Sequence, residues 1–154
     1  YSLIIWKRVK MHTTCQEAII NVINNIDGVT AEEYAGELEN PKDNRLNKAA
    51  LPIVYIDFVE DDTSNPNHID LFFSMYIVHI SFSKNKENRK NVKIELDALL
   101  NEIYENIAFK SLVNSEPIEL GKLKKIYDAN AAGGYMTVFR KSVSMRVPNP
   151  IIGG

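Results

Sequence analysis

The run Ile69-Asp-Leu-Phe-Phe-Ser-Met-Tyr-Ile-Val-His-Ile-Ser-Phe82 decides the fold of this 154-residue chain. A polar stretch over residues 83–91 carries it into an amphipathic segment, 92–107. There Val92, Leu96, Leu99, Leu100, Ile103 and Ile107 fall at i, i+4, i+7, i+8, i+11 and i+15. That spacing is one face of a 3.6-residue period, with Lys93, Asp97, Asn101 and Glu105 on the other, and it predicts a helix. The preceding apolar run reads as a strand. Residues 71–82 would extend about 40 Å at roughly 3.3 Å per residue, more than a small sheet usually needs. The strand is therefore expected to overhang its domain or bend at a bulge. Because both of its faces are largely apolar, it is either central in its sheet or has one face covered by another subunit.

Upstream, residues 14–27 read as a first helix. Thr14-Cys-Gln-Glu17 has the form of a capping box, Cys15, Ile19, Val22, Ile23 and Ile26 make an apolar stripe, and Gly28 supplies a left-handed stop. Residues 29–38 are compatible with a short strand or with helix. Residues 39–48 have the Pro and Asn content of an exposed loop. Residues 51–59 alternate as a strand, with Val54, Ile56 and Phe58 on one side and Tyr55 and Asp57 on the other. Residues 60–67 read as a polar connection closing a hairpin with the long strand. Downstream, residues 117–127 and 135–147 read as two more strands joined by 128–134, whose Gly133-Gly134 supports a turn. On the last strand Tyr135, Phe139, Val143, Met145 and Val147 share one face. Arg140, Ser142, Ser144 and Arg146 share the other, which is expected to be wet or ligand-facing. The fold class is thus α+β: an antiparallel sheet of four to five strands of mixed length, with two helices packed on one face.

One domain accounts for the length. Its expected limits are 12–147, with an N-terminal extension over 1–11 and an extended tail over 148–154. Met11 is a candidate start. An apolar run ahead of basic residues is the reverse of a signal peptide, so export is not expected. No apolar run reaches the roughly 18 residues of a membrane span. Cys15, the one cysteine, excludes an internal disulfide and fits a reducing compartment. Ile151 and Ile152 in the tail hint at docking on a partner.

The net charge of −2 is unevenly spread. Residues 27–70 hold eleven acids against three bases, and residues 84–146 hold twelve bases against eight acids. Two solvated surfaces would account for this. So would a subunit whose acidic side meets the basic side of its neighbour, a head-to-tail contact that closes into a ring. The interface candidates are Lys84, Lys86, Arg89 and Lys90 in the polar stretch, Glu60, Asp61 and Asp62 at the hairpin tip, and Arg140 and Arg146 on the last strand. No dense Lys/Arg stripe with interleaved aromatics supports sequence-specific nucleic-acid binding.

The chemistry-bearing residues assemble into no catalytic, metal or cofactor site. His12 and Cys15 form an H-x-x-C pair, but two ligands make no zinc site, and Cys15 sits on the apolar stripe, where it reads as a small hydrophobe. Asp61 onward lacks the Gly and Glu of an EF-hand loop. His79 reads as a hydrogen-bonded core or interface histidine. Gly133-Gly134 is followed by neither a helix N-terminus nor a phosphate-binding lysine.

The layout resembles the tail-terminator proteins of tailed bacteriophages, particularly the version of contractile-tailed Mu-like phages. The residues that carry the resemblance are Leu51-Pro-Ile-Val-Tyr-Ile56, the strand through Met75-Tyr-Ile-Val-His-Ile-Ser-Phe82, the second helix, and the closing strands with Tyr135-Met-Thr-Val-Phe139. It covers about residues 12–147. The resemblance implies a structural, non-enzymatic virion protein without cofactors: a homohexameric ring that caps the head-proximal end of the tail tube after assembly in the host cytoplasm. Its implied partners are further copies of itself, the tail tube protein, the sheath and the head–tail connector. A head-completion or neck protein of the same virion, and a small cytosolic α+β enzyme or ligand-binding module, are the alternative readings. Residues 1–10 and 39–48 have no counterpart in the family pattern.

Overall fold

A computed structural model describes residues 2–39, 51–82, 85–131 and 133–149. In chain order the elements are α1 (Ser2–Asn24), β1 (Thr30–Glu33), β2 (Ile53–Asp62), β3 (His68–Ser81), α2 (Lys86–Ile107), β4 (Glu119–Ala131) and β5 (Gly134–Pro148). The strands form one five-stranded sheet in the order β1-β2-β3-β5-β4. The fold is α+β, as expected, but the sheet is mixed. β1 runs parallel to β2, and the other three pairings are antiparallel. The connection between β1 and β2 is long enough for the crossover that a parallel pair requires.

β3 is the central strand, paired with β2 on one side and with β5 along its whole length. That position explains its two apolar faces. Ile69, Leu71, Phe73, Met75 and Ile77 enter the main core, while Val78 and Ile80 enter a second cluster on the opposite face. The expected bend is absent from β3 and lies in its partner, where β2 shifts register between Phe58 and Glu60. β2 also runs on to Asp62, so Glu60, Asp61 and Asp62 are strand residues and only 63–67 connect. Their pairing with β3 supplies the backbone hydrogen bonds that an acidic loop would have left to water.

Both helices lie on one face of the sheet. Cys15, Ile19 and Ile23 of α1 join Leu96, Leu99, Ile103 and Ile107 of α2 in the main core, beside Val54 and Ile56 of β2 and Val143, Met145 and Val147 of β5. The α2 stripe is the one its period predicts. Its start is earlier than expected. Asn85 Oδ1 accepts from the Glu87 N–H at 2.9 Å, so Lys86, Arg89 and Lys90 stand in the first turns of a helix instead of a loop. Glu87 further favours that N-terminus by complementing its dipole. α1 is longer still. It passes residues 11 and 12 without a break, so Thr14 is mid-helix and its capping box is not used. A local cap gives way where the preceding residues are helical too. The helix end tightens through 3₁₀-type bonds, Ile26 N–H to Ile23 O at 3.0 Å, before Gly28 turns at φ +81°.

The β4–β5 hairpin is tighter than its sequence suggests. Residues 128–131 and 134 belong to strands, and the reversal falls at Gly133, with φ +83°. A Cβ on Gly134 would stand 2.6 Å from both Ile80 Cγ2 and Ser81 O, so only glycine fits where β5 passes the end of β3. Beyond β5, Asn149 is buried, its N–H donating to Asn67 O and its Nδ2 to Pro66 O, each at 3.1 Å. Residues 150–154, with Ile151 and Ile152, and most of the 39–48 loop lie outside the described residues.

The face away from the helices is not wet throughout. Met136 and Val138, on the same face as Arg140, join Ile53, Tyr55, Val78 and Ile80 in the second cluster, with Tyr34, Leu38 and Tyr76 packed against it. The polar half expected there begins only at Arg140 and runs toward Arg146.

Candidate assembly surfaces

Of the charged residues singled out in the sequence, several prove to be engaged within the subunit. Arg146 donates to both oxygens of Asp70, at 2.7 and 3.0 Å, and these bonds hold the Asp70 carboxyl below the usual range. Asp61 meets His12 Nε2 at 2.7 Å, and the imidazole is stacked on Phe58 with ring centroids 4.3 Å apart. Asp62 accepts from the Ser64 N–H at 2.9 Å, which lowers its carboxyl likewise. Arg89 lies 5.0 Å from the Tyr135 ring centre, and Lys90 is 3.6 Å from Glu87 on the same helix. Lys86 and Glu60 are exposed. Lys84 lies outside the described residues. The structure therefore brings the eight described candidates into no single patch.

Asp128, read in the sequence as part of a turn, is the hub of a polar cluster on the helix side of β4 and β5. It accepts from Lys93 of α2 at 2.9 Å, from Thr137 Oγ1 at 2.9 Å and from Lys125 at 3.3 Å. Burial raises its carboxyl pKa, but these three donors together outweigh burial and leave it lowered. The alternation of β4, continued past Tyr127, was the signal that could have placed it.

Further charges stand at the two edges of the sheet. On the open face Lys124 of β4 lies directly opposite Arg140 of β5. Neither has an ion-pair partner among the described residues, nor does exposed Lys122 two positions before. Across the sheet, Glu32 and Glu33 of β1 are exposed, and Asp57 of β2 is half-buried. Burial, then the Glu33 charge, push the Asp57 carboxyl up. The two edges also differ in their backbones. At β1, Asn24 of α1 accepts from the Ala31 N–H at 2.7 Å and donates to Ala31 O at 3.1 Å, taking the place of a neighbouring strand. β4 is thirteen residues long and mostly exposed, with register shifts at Leu120/Leu123 and Lys125/Tyr127.

Cys15 is fully buried, and burial pushes its thiol up to about 11, away from the thiolate that a nucleophile needs. His79 stands 3.2 Å from Glu95 of α2, and its buried Nδ1 has no hydrogen-bond partner among the described residues. Among the described residues no group of three or more His, Cys, Asp or Glu could hold a metal ion, and no helix is long and apolar enough to cross a membrane.

No protein-family model matches the chain, and no curated protein matches it by sequence. Among solved structures it is similar to a chain of the virion of a native gene transfer agent particle. The TM-score is 0.54 at 10% identity, over 88% of this chain and 96% of that one. At that identity the likeness is one of fold alone.

Proposed function

We propose that this chain is a structural virion protein that forms a ring on the head-proximal end of a phage tail tube, ends tail polymerisation and prepares the tail for joining to the head. The observation that carries the reading is the likeness, over nearly the full length of both chains, to a virion component of a gene transfer agent. The tail-terminator resemblance of the strand–helix–hairpin layout supplies the more specific role. An uneven charge distribution suits a head-to-tail ring, most simply of six subunits, whose partners are its own copies, the tail tube, the sheath and the connector. The thiol of Cys15, inert in the core, fits a protein that works by assembly.

Electron microscopy and native mass spectrometry of isolated tails test this reading. A closed ring at the tube end is the expected result, and in its absence tails that overrun their length or fail to join heads. A protein found only as a monomer within intact particles would sink the proposal. Labelled protein located at the portal, away from the tube end, would move it to the neck instead.

A further inference from the structure

We infer that neighbouring subunits meet edge to edge, with Lys122, Lys124 and Arg140 at the β4–β5 edge of one copy set against Glu32, Glu33 and Asp57 at the β1–β2 edge of the next. This rests on the ring reading and specifies its contact. Like charges directly opposite on adjacent strands are destabilising, and Lys124 faces Arg140 in just that register. At the other edge Glu32 and Glu33 are adjacent and exposed on β1, with Glu33 in register with Ile56, the residue before Asp57 of β2, whose carboxyl is pushed up by burial and then by the Glu33 charge. Each edge thus carries a repulsion that nothing described within the subunit relieves and that the other edge would relieve. The two patches differ, as a head-to-tail contact requires, and they lie on opposite margins of one sheet, so each copy can engage two neighbours. Leu123 and Ile126, both partly exposed on β4, add apolar surface to the basic side.

The sequence-derived candidates serve this role less well. Arg146, Asp61 and Lys90 already have acidic or basic partners of their own, and Arg89 lies against Tyr135. Strand addition at β1 is also disfavoured, because Asn24 holds both outward backbone groups of Ala31. The contact is therefore made by side chains, and it weakens as salt rises.

Zero-length carbodiimide cross-linking of the assembled full-length protein tests the assignment. β1 and β4 are separated by four inter-strand spacings, about 19 Å at roughly 4.8 Å each, so an amide between Lys122 or Lys124 and Glu32 or Glu33 must join two copies. Such links are expected on the ring. The double variants Lys124→Glu/Arg140→Glu and Glu32→Lys/Glu33→Lys are each expected to lose self-association, and a one-to-one mixture of the two to regain it in alternating rings. Rings whose cross-links run instead from Lys86, Arg89 or Lys90 to residues 60–62, or that survive both double variants, would overturn the edge assignment while leaving the ring intact. Failure of the wild-type protein to self-associate, free or on tails, would overturn the ring and this contact together.

Discussion

The two faces of the sheet are made from the same alternating strands, yet they carry different kinds of information. On the helix-covered face, residues from α1, α2 and four strands form one continuous core. On the open face a smaller cluster around Tyr55, Val78 and Met136 gives way, across Arg140, to charged and hydroxyl side chains. The covered face is regular because two helices of fixed period must meet a pleated surface, so apolar residues recur at set intervals. Among the described residues, no helix packs on the open face. Its composition can follow whatever the subunit touches, and there the unbalanced charges of Lys124 and Arg140 are found.

The hardest break of this contrast is a charge placed in the covered face. Leu99→Asp puts an unpaired carboxylate beside Leu96 and Ile103 and should cost several kcal/mol, enough to unfold a marginally stable domain. Ile94→Asp, at an exposed position on the same helix, should leave the circular dichroism spectrum and thermal midpoint nearly unchanged. Equal effects would mean that α2 is not seated as described.

A finer comparison uses one residue type on one strand. Val143 and Val138 of β5 are both 1% exposed, but Val143 faces the helices and Val138 the open side. Truncation to alanine should cost about 1–3 kcal/mol at Val143 and less at Val138, where edge side chains can close the gap. Urea unfolding of the two variants reads the difference, and equal losses would show the faces to be equally packed.

Charges on the sheet, at the seam with α2 and away from it, should show in the pH dependence of stability. Asp70 and Asp128 are held below their unfolded values, so each contributes stability above an ordinary carboxylate pKa, near 4, that is lost as pH falls through the folded value. Asp57 is shifted the other way, so its ionisation costs stability at neutral pH, and protonation on acidification recovers it. Asp128→Ala is expected to lower stability by about 1–3 kcal/mol at pH 7 and to flatten the urea-midpoint profile between pH 5 and 2. A profile as steep as that of the wild type would assign the acid sensitivity elsewhere.

The smallest effect belongs to Cys15→Ala, which removes one sulfur from the stripe of Ile19 and Ile23 at a cost of about 1 kcal/mol. Variant particles should keep normal tail length and infectivity. A folded, ring-forming variant that fails to complete tails would reopen a chemical role for the thiol.

The covered face was legible in the sequence to the extent that period fixes position. The α2 stripe, the double-faced apolar character of β3, and the sidedness of Val54, Ile56 and Phe58 all follow from spacing. Element ends were less legible, because a helix start and a loop use the same residues. Asn85 caps α2 with an asparagine that serves equally in a turn, so Lys86, Arg89 and Lys90 read as loop. The Thr14 box marked a start that α1 does not use. The parallel β1 escaped for a different reason: Thr30–Glu33 is short, and its pairing is set by the path of the chain after it, not by its own residues. Least legible were the assembly surfaces. Whether a charge is free depends on partners far along the chain, as Asp61 finds His12 and Arg146 finds Asp70. Counting acids and bases gave the asymmetry of the halves and missed which members of each half are satisfied.

The place of β3 at the centre of the sheet also has a consequence in time. Its ladder with β2 closes a short hairpin, and so does that of β4 with β5. The seam between β3 and β5 instead joins partners more than fifty residues apart, from Ser81 with Tyr135 to His68 with Pro148. Closing a loop of that length gives up chain entropy before any seam contact is gained, and folds dominated by such distant pairings form in milliseconds to seconds. Two ready hairpins waiting on one slow seam would leave the edges of β3 and β5 open to other chains for the duration. Folding at raised protein concentration should therefore lose yield to aggregation before the seam closes, with the hairpins already protected from hydrogen exchange.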